Sequence, residues 1–231
     1  MGKVASTVHV VDDDRSFRSA TGELLGVCGY KVVLHESAKQ LLETSLAEGP
    51  ACILLDVRMA GLSGPQLQDY LSRQGCRLPI VFISAHGDIP TTVKAIKAGA
   101  EDFLTKPVIK EKLLEVVEQA LERYYAMAEE DGQRSTLRSL FAQLTPRESE
   151  VFSLLVRGKP HKQIAYELGI SERTVKLHRH QVVQKLRVRS LAELAVIAER
   201  LRLLPSTRDD ERTGKNIQET RPGITNSVRI S

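Results

Sequence analysis

Four short stretches of this 231-residue chain carry groups able to do chemistry, each where an apolar run ends. Asp12-Asp13-Asp14 follows Val8 to Val11, and Asp56 follows Cys52 to Leu55. Ser84-Ala85 follows Ile80 to Ile83, and Lys106-Pro107 follows Phe103-Leu104. A carboxylate such as Asp56 can attack a phosphorus centre and form an acyl phosphate. That attack brings two anions together. A divalent cation held by Asp13 and Asp56, with Asp12 acting directly or through water, offsets the repulsion. Mg²⁺ suits a site of carboxylates, a backbone carbonyl and waters. Phosphoryl transfer asks mainly for positioning and charge neutralisation. Lys106 can supply a positive charge to one phosphoryl oxygen, and Ser84 a hydrogen bond to another. Taken singly, each stretch reads as a turn or loop; their joint placement favours a shared pocket.

The elements that must position these groups alternate. β-like runs cover Val4 to Val11, Lys31 to His35, Ala51 to Leu55, Pro79 to Ser84 and Asp102 to Leu104. Amphipathic helical segments lie between them: Arg15 to Val27, Ala38 to Leu46, Pro65 to Ser72, Pro90 to Ala98, and one from near Ile109. The runs Cys-Ile-Leu-Leu and Ile-Val-Phe-Ile are continuously apolar, as parallel strands buried on both faces must be. Alternating β and α with right-handed crossovers gives a doubly wound α/β sandwich. In such a sheet the carboxyl ends of the strands open on one crevice, where ligands bind.

The net charge of +4 is unevenly spread. Residues 1–120 carry 13 Lys and Arg against 15 Asp and Glu, whereas residues 141–205 carry 12 against 6. The basic second half points to nucleic acid or another polyanion. Cys28, Cys52 and Cys76 lack metal or redox spacing and read as reduced core thiols. With no signal peptide and no membrane-length apolar run, the chain reads as soluble and cytoplasmic, with no membrane partner.

From Lys110 to Leu144 the pattern is helical, with Leu113, Val116, Val117, Ala120, Leu121 and Tyr124 in one stripe. Asp131-Gly132 interrupts it, so one long helix or two abutting ones link the halves. Helix punctuation is then dense. Thr145-Pro-Arg-Glu148 is a capping box with proline at the first helical position. Gly158 ends that helix, and His161 to Leu168 forms another, closed by Gly169. Ser171 caps the next, with Glu172 in its first turn. Ser190-Leu-Ala-Glu193 is a second capping box. Residues 161–187 thus have helix-turn-helix form. Val175, His178, Val182 and Leu186 face the core; Arg173, Thr174, Lys176, Leu177, His180, Gln181 and Gln184 face out. That outer face mixes phosphate-binding cations with base-edge groups, and Leu177 suits a thymine methyl. From Pro205 onward there is no apolar period, and the tail reads as disordered.

Two resemblances follow. Val-Val-Asp12-Asp13, Leu-Leu-Asp56-Val-Arg-Met, Ser84-Ala-His-Gly-Asp and Lys97-Ala-Gly-Ala-Glu-Asp-Phe-Leu-Thr-Lys106-Pro107 resemble the receiver domain of two-component response regulators. Leu144-Thr-Pro-Arg-Glu148, Lys162-Gln-Ile-Ala165, Leu168-Gly-Ile-Ser-Glu-Arg-Thr-Val-Lys-Leu-His178 and Lys185-Leu-Arg-Val-Arg-Ser190 resemble the LuxR-type DNA-binding domain. The pairing is that of the FixJ/NarL group. It implies a flavodoxin-like five-stranded sheet of order 2-1-3-4-5, a helical linker and a small all-α domain. The expected divisions are 1–120, 121–143, 144–204 and a tail at 205–231.

The resemblance further implies that a sensor histidine kinase phosphorylates Asp56. Asp12, Asp13, Asp56 and the backbone carbonyl of Arg58 would serve Mg²⁺ or another divalent cation. Ser84, Ala85 and Lys106 would meet the phosphoryl group, and Phe103 would turn inward as Ser84 moves. Lys176, Leu177 and His180 would enter the groove of a double-stranded operator; Lys162, Arg173, Thr174, Arg179 and Lys185 would meet phosphates. Phosphorylation would dimerise the receivers and so enable operator binding, and the last helix would pair the DNA-binding domains, giving a homodimer on phosphorylation or on DNA; its apolar Leu191, Leu194, Ala195 and Ala198 equally suit packing within their own domain. One position departs from the family pattern: Ala60 stands where proline usually follows Met59. The reading is a phosphorylation-activated transcriptional regulator, an activator rather than an enzyme, with RNA polymerase as a further partner. The alternative is a phosphorylation-independent DNA-binding regulator with a vestigial receiver.

Overall fold

The computed structural model describes residues 6–46, 49–85, 93 and 96–203. The chain divides into two units, residues 1–131 and 132–231.

In the first unit, the elements are β1 (Thr7–Val11), α1 (Arg15–Val27), β2 (Lys31–His35), α2 (Ala38–Glu43), β3 (Ala51–Asp56), α3 (Gly64–Arg73), β4 (Ile80–Ser84) and β5 (Asp102–Thr105). All pairings are parallel, in the order β2-β1-β3-β4-β5. Val11 pairs with Leu55, Asp56 with Ile83 and Ser84 with Thr105, so these strands end together. The two faces of the sheet sort by parity. Val8, Val10, Cys52, Leu54, Val81, Ile83 and Leu104 pack with Leu25 of α1. Val11, Ile53, Leu55 and Phe82 pack with Leu41 of α2 and Leu67 of α3.

Asp14 starts α1, its carboxylate accepting from the Ser16 and Phe17 amides. The helix expected over Ala38 to Leu46 stops at Glu43, where Thr44 turns extended and its hydroxyl donates back to the Gln40 carbonyl. The helix expected over Pro90 to Ala98 and the start of the Val4 to Val11 strand lie largely outside the described residues. Of the two readings for the linker, one long helix or two abutting ones, the structure has the first: helix α4 (Lys110–Phe141) runs through Asp131-Gly132. A lone glycine costs a helix only about 1 kcal/mol, and its neighbours here are good helix formers. Leu113, Val116, Val117, Ala120 and Leu121 of α4 are buried against the sheet, as the stripe requires. Of the cysteines, Cys52 is a core thiol pushed up to about 12 by burial. Cys76 is half-buried, and Cys28 is exposed where α1 ends, which corrects the expectation of three core thiols.

In the second unit lie α5 (Pro146–Val156), α6 (His161–Leu168), α7 (Glu172–Lys185) and α8 (Leu191–Arg200). The expected N-caps are present, but the second capping box lacks its return bond: the Glu193 carboxylate accepts from the Arg189 amide at 3.1 Å instead. Thr145 and Glu148 close the first capping box. Gly169 takes the left-handed conformation after α6 at φ 63°. Ser171 and Ser190 accept from the Thr174 and Glu193 amides. Phe152, Val182, Leu186, Leu194, Ile197 and Ala198 form one core cluster, and Val151, Ile164 and Val175 anchor a second.

Candidate functional site

At the carboxyl ends of β1, β3 and β5, the Lys106 ammonium bridges two buried carboxylates. Its Nζ lies 2.7 Å from Asp12 Oδ2 and 3.0 Å from Asp56 Oδ1. The loop holding Lys106 is tied by the Lys106 amide, which donates to the Ser84 carbonyl at 2.8 Å, and the Lys106-Pro107 peptide bond is cis. The Lys106 ammonium also stands 4.2 Å over the Phe17 ring, a cation–π contact. The remaining carboxylate oxygens are occupied by backbone. Asp12 Oδ1 accepts from the Asp14 amide at 2.9 Å, and Asp56 Oδ2 from the Arg58 amide at 2.7 Å. The Arg18 guanidinium donates to the Asp12 carbonyl at 2.5 Å.

One ammonium serves two buried carboxylates, and the acidities reflect it. Burial pushes the Asp56 carboxyl up, with the Asp12 charge adding to it, against the opposing pull of Lys106 and the Arg58 amide. Burial alone would lower the Lys106 ammonium, but its ion pairs with Asp12 and Asp56 outweigh that and hold it above its ordinary value.

Asp13 is exposed, and its Oδ2 accepts from the Ala60 amide at 3.2 Å, tying the loop after Asp56 to the loop after β1. A proline at position 60 has no N–H and could not make this bond. The departure at Ala60 therefore adds a tie. Among the described residues, no three acidic, His or Cys side chains are spaced as a metal centre. The Ser84 side chain is buried and Ala85 is exposed beside it. Phe103 is half-buried against the α3 side of the sheet.

Phe17, Arg18 and Gly64 escape sequence reasoning. Phe17 and Arg18 lie in the first turn of α1, where they look like ordinary amphipathic residues. Gly64 opens α3 beside the loop that follows Asp56. A Cβ there would meet the Asp56 carbonyl oxygen at 2.4 Å and Phe82 Cε1 at 2.9 Å.

In the second unit, Lys162 on α6 and Arg173, Lys176, Leu177, Arg179 and His180 on α7 are exposed, Leu177 at 55%. Val175, Val182 and Leu186 are buried, as expected. His178 is half-buried, with a buried Nδ1 that has no hydrogen-bond partner among the described residues. Thr174 and Gln181 are half-buried, and the Thr174 hydroxyl lies 2.8 Å from that of Ser171. Lys185 is engaged. Its ammonium donates to Glu148 Oε2 at 2.6 Å and to the Gln143 carbonyl at 3.2 Å. Burial would raise the Glu148 carboxyl, but Lys185 and the Thr145 amide together hold it below the usual range. On α8, Leu194 and Ala198 are buried in this unit's own core, leaving Leu191 and Val196 exposed at 44% and 48%. No helix among the described residues is long and apolar enough to cross a membrane.

Residues 8–118 match the response regulator receiver domain, and residues 142–198 match the bacterial regulatory proteins of the luxR family. Nodulation protein W of Bradyrhizobium diazoefficiens is 44% identical over 194 residues, covering 84% of this chain and 86% of that one. The response regulator protein TodT of Pseudomonas putida is 40% identical over 202 residues, covering 87% and 89%. The low-resolution structure of the response regulator StyR superposes with a TM-score of 0.70 at 46% identity, covering 85% of this chain and 99% of that one. The chain belongs to the response regulators that join a receiver domain to a LuxR-type DNA-binding domain, and it is a transcriptional regulator rather than an enzyme.

Proposed function

We propose that Asp56 is the phosphoacceptor, and that its phosphorylation by a sensor histidine kinase activates DNA binding. The observation that carries this reading is the Lys106 ammonium, within 3.0 Å of Asp56 and 2.7 Å of Asp12. It is placed to follow charge from the carboxylate to a phosphoryl oxygen. Ser84, at the end of the neighbouring strand, would donate to another oxygen, with the Ala85 backbone alongside. Phe103, half-buried, would then turn inward, a packing readout of a local charge change.

Receiver domains bind Mg²⁺ at this acidic pocket. The donor chemistry here fits, because three carboxylates outnumber the bridging ammonium and are hard oxygen ligands. Asp12, Asp13 and Asp56, with the Arg58 carbonyl, would hold the cation; exposed Asp13 is the ligand able to adjust. The cation supplies charge neutralisation as the phosphoryl group approaches.

Lys176, Leu177 and His180 would read base edges in the major groove, and Lys162, Arg173, Thr174 and Arg179 would meet phosphates. Lys185 would support the interface through Glu148. Two copies would pair through α8, where Leu191 and Val196 are exposed, and bind a two-fold operator. Activation through RNA polymerase in the cytoplasm completes the reading. The test is DNA selection from a random pool with and without acetyl phosphate and Mg²⁺, alongside the oligomeric state. A selected two-fold sequence bound by a dimer only after phosphodonor treatment supports it. Equal binding by the untreated chain supports a vestigial receiver instead.

A further inference from the structure

We propose that Arg77 and Asp131 form a latch that holds the linker half of α4 on the receiver, with Gly132 as the hinge beyond it. The core stops anchoring α4 early: Leu121 is its last buried residue. Two contacts take over after that. Arg123 and Met127 line a groove of about 420 Å³ whose opposite walls include Cys76, Leu78, Ala98 and Glu101. One turn further along, the Arg77 guanidinium pairs with the Asp131 carboxylate, both side chains being half exposed. Arg77 is presented from a fixed loop, since the Gly75 and Cys76 amides donate to the Ser72 and Leu71 carbonyls at 3.0 and 2.9 Å.

The helix is weakest immediately past this tie. Glycine is second only to proline as a poor helix former. The Thr136 hydroxyl also donates back to the Gly132 carbonyl at 2.9 Å, a bond that tends to bend helices. The two units of the chain divide between Asp131 and Gly132. So the Arg77–Asp131 pair sits one residue before the point where bending is easiest. Closed, the latch keeps α4 straight to Asp131; open, it loosens residues 122–131 and frees the helix to bend at Gly132. A half-exposed ion pair is weak and screened by salt, so the latch opens readily. The groove wall at Ala98 and Glu101 leads directly into β5 and Phe103, so movement of that wall reaches Met127 and Arg77.

The test is hydrogen exchange of the full unphosphorylated chain, read by mass spectrometry, and it does not depend on Asp56 chemistry. Arg77→Gln and Asp131→Asn should each speed exchange over residues 124–135 roughly two- to fivefold, with β1 and β3 unaffected. High salt should do the same to the wild type. Arg77→Asp combined with Asp131→Arg should restore protection, and Gly132→Ala should slow exchange around position 132 with the latch intact or broken. Unchanged exchange in both single variants, or no rescue by the exchanged pair, would overturn the latch. No effect of Gly132→Ala would overturn the hinge.

Discussion

Lys106 Nζ stands 3.0 Å from Asp56 Oδ1 in a pocket where both side chains are largely buried. It also neutralises Asp12 at 2.7 Å, so removing it strands two carboxylates at once. Breaking a buried pair from one side typically costs 3–5 kcal/mol. Lys106→Met should therefore destabilise the receiver by about 3 kcal/mol near pH 7. The loss should shrink as pH falls, because the Asp56 carboxyl, already raised by burial, then takes up a proton and no longer needs the ammonium. Hydrogen exchange of the β1 and β3 amides at neutral and at acid pH checks it; an equal loss at both would argue against uncompensated charge as the cause.

Gly64→Ala should act on the same loop by contact rather than by charge. The added methyl meets the Asp56 carbonyl oxygen at 2.4 Å, and that neighbour is backbone, so the start of α3 must shift. Overpacking of this kind costs about 1–3 kcal/mol. Urea unfolding of the receiver would register the loss. Ala60→Gly, which keeps the amide that Asp13 uses, should leave stability nearly unchanged.

His9 and His35 face each other in the core, Nδ1 to Nε2 at 3.0 Å, with the rings stacked. Burial, followed by the neighbouring His9, holds His35 down at about 4, and burial with the Lys31 charge lowers His9 as well. Both folded values lie below the ordinary 6.5. The unfolded chain therefore binds protons first as pH falls, and stability is present above 6.5 and lost on the way down toward 4. For His35 the loss by pH 5 is about 2 kcal/mol. Urea midpoints of the receiver transition between pH 7.5 and 5 measure this. Replacing both residues, His9→Leu with His35→Leu, should flatten that slope.

The cations of the second unit should separate into two kinds. Arg173 and Arg179 are exposed, so Arg173→Ala and Arg179→Ala should each lower the salt slope of DNA binding by about 1. Lys185 is bound to Glu148, so Lys185→Met should leave the slope unchanged and instead lower the stability of this unit. The Glu148 carboxyl is held below its ordinary value. The stabilisation from this pair is thus present above the normal carboxylate range and lost as pH falls through the folded value. Binding titrations at several salt concentrations, with thermal melts alongside, distinguish the two kinds.

The legible parts were those encoded locally. Asp12, Asp56, Ser84 and Lys106 each end an apolar run, and a parallel sheet brings such ends together whatever lies between. Thr145, Ser171 and Ser190 announce their helices because a cap bonds to amides within three residues. What could not be read depends on distant parts of the chain. Gly64 is required by the backbone of Asp56, and Lys185 belongs to Glu148, 37 positions earlier. Ala60 reads in the sequence only as a departure from the family pattern, yet its amide ties Asp13 across 47 positions. Asp131-Gly132 left one helix or two open in the sequence, because local propensity there does not weigh the helix-forming residues on both sides; the structure has one.

The most direct measurement is the intact mass of the protein after incubation with acetyl phosphate and Mg²⁺, with Asp56→Asn and Lys106→Met alongside. A single phosphoryl adduct on the wild type, absent from Asp56→Asn and prevented when the cation is chelated before the phosphodonor is added, is the expected result. An adduct of equal yield on Asp56→Asn, or none on the folded wild type, would contradict Asp56 as the phosphoacceptor.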